Sequence, residues 1–127
     1  MPNVRRAEKA DCETPSIMSD QNVVKAPEVK KLPDLLQYQD GSIVSRVLLK
    51  NKGGSVTLFA FDVGEGLSEH TAPFDALVVI TDGEADVEIA GESFKVRQGE
   101  TIILPADRPH ALRAVTKFKM LLIMIRA

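Results

Sequence analysis

With 127 residues, 44% of them hydrophobic and 27% charged, the chain has the composition of one soluble globular domain, since single cores typically organise ~100–150 residues. A net charge of −2 gives no bias towards nucleic acid or an anionic membrane surface. The single Cys12 excludes an intrachain disulfide, and the opening stretch MPNVRRAEKADCETPS holds no apolar segment for secretion or membrane spanning, so a reducing cytoplasm is expected.

Residues 1–31 mix charges, small polar residues and Pro2, Pro15 and Pro27 with neither a strand nor a helix period. Lacking a face to bury, they read as an N-terminal extension or arm with the composition of a disordered segment. Cys12 lies inside it beside Asp11 and Glu13, a setting that does not favour a thiolate, and reads as an incidental exposed thiol. Residues 32–127 form the expected folded domain. Apart from a turn near Pro33–Leu36, they show short apolar runs at Ile43–Leu49, Ser55–Val63, Ala76–Ile80, Ala85–Ile89, Ser93–Val96, Thr101–Leu104 and Phe118–Ile125. Turn formers separate the runs, among them Asp40-Gly41, Gly53-Gly54, Gly64-Glu65-Gly66, Asp82-Gly83, Gly91-Glu92 and Gln98-Gly99. This spacing predicts an all-β sandwich or barrel.

One hairpin follows from pairing: a type II′ turn at Gly91-Glu92 sets Ile89 against Phe94, Glu88 against Lys95, Val87 against Val96 and Asp86 against Arg97. Apolar pairs then share one face and opposite charges the other, as a sheet buried on one side requires. Leu77–Ile80 and Phe118–Ile125, the latter broken only by Lys119, are apolar at odd and even positions alike. Strands of that kind are covered on both faces. The expected cover is a second copy of the chain in a homodimer, with residues 1–31 folding back as the alternative.

His70 and His110 are the only histidines. Each sits in a glycine- and proline-punctuated stretch, Gly64 to Gly83 and Gly99 to Ala114. Together these two stretches resemble the paired motifs of the cupin superfamily, over roughly residues 40–127. Gly64, His70 and Gly83 match the first motif, while Ala72 and Ala76 stand at its second histidine and its glutamate. In the second motif Gly99, Pro105 and His110 match, whereas Asp107 replaces a glycine and Ala114 an asparagine. The resemblance implies a single-domain cupin barrel (a double-stranded β-helix or jelly roll) behind an N-terminal extension.

Cupins with the full motif hold a metal through three histidines and a glutamate. Here the resemblance leaves two metal-ligand candidates, His70 and His110, for a divalent ion such as Zn, Fe, Mn or Ni. Catalytic metal sites normally use three protein ligands, so water or a small ligand would have to complete this one. Glu69 and Asp75 are out of phase with the inward positions, leaving Asp107 as the candidate third ligand or, on the plainer reading, a turn residue. Arg108 or Arg113 could orient an anion, although alternation turns Arg113 outward.

Five Phe, one Tyr and no Trp offer few stacking platforms, so a pocket enlarged by Ala72, Ala76 and Ala114 suits a small polar or anionic molecule. Three functions fit the residues: a two-histidine metal site completed by a ligand, a metal-free binding or sensing module, and a dimeric interaction domain. None of them assigns a catalytic residue.

Overall fold

The computed structural model describes residues 27–126. The expected arm up to residue 26, including Cys12, lies outside the described residues. A short 3-10 turn at Leu32–Asp34 precedes eight strands: β1 (Ile43–Asn51), β2 (Gly54–Phe61), β3 (Gly66–His70), β4 (Asp75–Ile89), β5 (Glu92–Arg97), β6 (Thr101–Leu104), β7 (His110–Arg113) and β8 (Phe118–Ile125). The fold is all-β, as expected. No helix among the described residues is long and apolar enough to cross a membrane.

All pairings are antiparallel and β4 organises them. Its first half pairs with β8 and β6, continuing a sheet through β2 to β1. Its second half pairs with β7 and β5, and β3 lies beyond β7. The sequence reading put a turn at Asp82-Gly83, splitting this strand in two. In the structure that dipeptide is a bulge within one 15-residue strand, with the β8 register shifting between Ile80 and Asp82. Gly83 has φ +75°, and a Cβ there would stand 2.0 Å from the Lys117 carbonyl oxygen. Glycine thus allows close backbone approach and bends β4 from one sheet into the other.

The β4–β5 hairpin also corrects an expectation. Its turn is Ala90-Gly91, with φ +50° and +87°, and the pairing is Val87 with Phe94, Asp86 with Lys95 and Glu84 with Arg97. Positive φ at both central residues is the type I′ signature, whose twist matches the flanking strands. The register moves by two residues, so every side chain keeps its predicted face.

Inside the barrel, Phe61 stacks on Phe118 with centroids 4.4 Å apart, and Val78, Ile80, Val87 and Met120 are fully buried beside them. A second cluster lies outside the first sheet, where Leu32, Leu35, Leu36 and Tyr38 cover Val44, Leu58, Ala60 and Leu121. Lys119 is buried beneath this cover and donates through Nζ to the Leu36 carbonyl at 2.7 Å. Part of the expected outer layer is therefore supplied by residues 32–38. The rest of that face carries a row of register partners, Leu49, Val56, Ile123, Leu77 and Ile103, whose two end members are 55% and 60% exposed.

Candidate functional site

β3 ends at His70, β7 begins at His110, and the two residues are paired across the strands. Their rings meet edge to face, with centroids 4.4 Å apart and planes at 70°. Nδ1 of His70 lies 2.9 Å from the Ser68 carbonyl, and Nδ1 of His110 lies 3.3 Å from the Arg108 carbonyl. A carbonyl only accepts, so each Nδ1 carries the hydrogen and donates. With both Nδ1 atoms so protonated, each Nε2 carries a lone pair, and the two nitrogens lie 3.2 Å apart. A proton or a metal cation between them would satisfy both.

Zinc holds imidazole nitrogen at ~2.0–2.1 Å. Two nitrogens 3.2 Å apart therefore subtend about 100° at a shared ion, close to the angle between neighbouring tetrahedral or octahedral positions. His110 is buried while His70 is exposed. Burial, with the charge of His70 adding to it, holds the His110 pKa below the usual imidazole range. Its Nε2 lone pair is thus available at neutral pH.

Behind the pair lies a cavity of about 70 Å³ lined by His70, Ala72, Ala76 and His110. The four family ligand positions meet at one cavity, as expected, with His70 at the end of β3, Ala72 in the loop after it, Ala76 on β4 and His110 on β7. Two of them present only methyl groups, and the remaining wall is apolar: Leu67, Phe74, Leu104, Leu112, Met120, Leu122 and Met124. The sequence suggested a pocket suited to a small polar or anionic molecule; apart from the two histidines, its lining is apolar. Among the described residues no group of three or more His, Cys, Asp or Glu could hold a metal ion. The pair therefore fits an ion by angle and lone pair but supplies only part of its shell.

The other candidates take different places. Asp107 is exposed at φ +64°, and its backbone N–H donates to the Ala72 carbonyl. It is a turn residue, and its positive φ explains why it occupies a family glycine position. Asp75 accepts from the Ala106 N–H at 2.8 Å. Glu69 is exposed next to His70. Arg113 points outward over Asp86, at a groove of about 450 Å³ on the outer face of the second sheet. Ala114 does not line the cavity as expected: it is buried where its backbone pairs with Gly64 and Glu65.

Two residues escaped the sequence reading. Phe74 lines the cavity, and the Arg126 guanidinium lies 5.6 Å from its ring centroid. Arg126 shares its alternation with Met120, Leu122 and Met124, but a strand apolar on both faces does not announce which parity looks inward. Lys119 was the available signal, marking the opposite parity as the outer one.

A curled antiparallel barrel with paired histidines at one end of its cavity defines a cupin. Residues 57–126 match the family model described as the cupin domain, and the chain belongs to that family. A protein of unknown function from Streptococcus pyogenes, SPY1581, is 34% identical, with a TM-score of 0.77 over 82% of this chain and 91% of that one. A cupin 2 conserved barrel domain protein from Leptotrichia buccalis is 41% identical, with a TM-score of 0.72 over 74% of this chain and 46% of that one. Among curated proteins, the polyketide synthase CurC of Streptomyces cyaneus is 28% identical over 75 residues, 58% of this chain. That match spans 49% of CurC, about half its length.

Proposed function

We propose that the cavity mouth is a small-molecule site where His70 and His110 hold a divalent ion such as zinc, iron, manganese or nickel, with water and a polar or anionic ligand completing the shell. The convergence of two Nε2 atoms, each with its Nδ1 against a carbonyl, carries this reading. A bound ion would polarise the ligand it holds. The chain's own residues orient the two rings through the Ser68 and Arg108 carbonyls and keep water from the apolar wall behind them.

Metal analysis of protein purified without an affinity tag, together with imidazole NMR during zinc titration, tests the reading. Binding of one ion that shifts both histidines and is lost in His70→Ala and in His110→Ala is expected. Absence of any imidazole shift at saturating zinc would overturn it. A second reading, a metal-free binding module, draws on the apolar wall and on Ala72 and Ala76. It expects ligand-induced thermal stabilisation that survives a chelator.

We also propose that a second copy of the chain covers the row formed by Leu49, Val56, Ile123, Leu77 and Ile103. Five register partners of one character across five strands support it, since a symmetric dimer would set such a row against itself. Sedimentation should give twice the chain mass, and Leu77→Glu should halve it. A monomeric wild type would remove the proposal.

A further inference from the structure

The wall behind the histidines is hydrocarbon and thioether, and Ala72 and Ala76 open space where longer polar side chains would otherwise project. Water deep in it would find no polar partner, and apolar cavities stay dry and accept apolar guests. Liquid water takes ~30 Å³ per molecule and a methylene is of similar size, so 70 Å³ admits about two or three such groups.

Next to this wall, on the exposed side of Phe74, stands Arg126. Its guanidinium is set against Phe74, which itself lines the cavity. Among the described residues Arg126 forms no ion pair. The nearest carboxylate in sequence to Phe74, Asp75, is engaged by the Ala106 N–H. A guanidinium held by a ring presents a planar fork that matches a carboxylate. Two neutral imidazoles around a divalent ion would also leave a positive charge that an anionic head group reduces.

We propose that this site takes a short aliphatic monocarboxylate of about three or four carbons, its alkyl chain in the Met120- and Met124-lined cavity and its head group between Arg126 and the histidine pair. The proposal rests on reading the mouth as a small-molecule site and adds the chemistry of the ligand.

The test titrates the full chain with acetate, propionate, butyrate and hexanoate, and with butanol as a neutral counterpart, by NMR and thermal shift, in EDTA and in zinc. Affinity should rise about tenfold from acetate to butyrate, two buried methylenes, and fall again at hexanoate. Butanol should bind at least about tenfold more weakly than butyrate, as expected when a charge-assisted contact is lost. Arg126→Gln should remove that difference, and Ala72→Val should move the optimum back towards acetate. Arg126 is exposed and its substitution leaves the core intact, so it keeps the test decisive if Ala72→Val does not fold. Equal binding of all chain lengths, or of butanol and butyrate, would overturn the proposal. Zinc binding at the histidines without chain-length preference would leave the metal reading standing and this one refuted. Selective carboxylate binding in EDTA without any zinc binding would do the reverse.

Discussion

The two halves of β4 share one barrel interior but have opposite exteriors. In the first half Ala76, Val78 and Ile80 face the core while Leu77 and Val79 also present hydrocarbon outward. In the second half Ala85, Val87 and Ile89 are buried and the outward positions are Glu84, Asp86 and Glu88. There Lys95 lies 3.1 Å from both Glu84 and Asp86, and Arg97 lies 3.5 Å from Glu84. Clean alternation marks a face that water solvates, whereas its loss marks a face that other protein covers. For the first sheet that cover is partly the Leu32–Tyr38 segment and, on our proposal, partly a second copy. The second sheet needs none, and it contributes both histidines.

The largest effect is expected where the halves meet. Gly83→Val would set a Cβ against the Lys117 carbonyl and force a β-branched residue to positive φ. A loss of more than about 3 kcal/mol is expected, enough to unfold a marginal domain. Urea denaturation checks this, and wild-type stability in the variant would show that the two halves do not depend on the bend.

Next comes the cover of the first sheet. Lys119→Ala leaves the buried Leu36 end of the segment without its donor and should cost about 2 kcal/mol. Faster hydrogen exchange over residues 32–38 would locate the loss. The charged exterior should respond far less. Glu84→Gln removes ion pairs of a partly exposed group and should cost under about 1 kcal/mol, a difference that vanishes at high salt.

The mildest effect concerns pH. Unfolded histidine titrates near ~6.5, and His110 in the fold titrates lower. Within that window the unfolded chain binds a proton that the folded chain does not. Stability is therefore full above ~6.5 and declines as pH falls towards the folded value. In chelator-treated protein, His110→Gln should flatten this slope. An unchanged slope would place its origin in other groups.

Much of the fold was legible because β structure writes its faces with period two. The β4–β5 hairpin shows both the strength and the limit of that signal. Its inner and outer faces were assigned correctly although the turn was displaced, because a two-residue change of register preserves parity. Asp82-Gly83 went the other way. Asp-Gly favours turns, and only the closeness of the Lys117 backbone turned it into a bulge within a continuous strand. β3 and β7 hold too few apolar residues to stand out as runs, so the family motif was needed to place the histidines on strands.

The amino-acid sequence by itself determined the barrel class, the absence of two of the family's four ligands, and the position of His70 and His110 at one cavity. The first is a statement about residue type and alternation, which a linear chain carries; the other two rest on the resemblance to the family motifs. Tertiary structure alone decided that the Nε2 atoms converge, that Lys119 holds down an outer layer, and that Phe74 lines the cavity with Arg126 beside its ring. Each depends on distances between strands far apart in the chain, set by how β4 bends at Gly83 and not by any local preference.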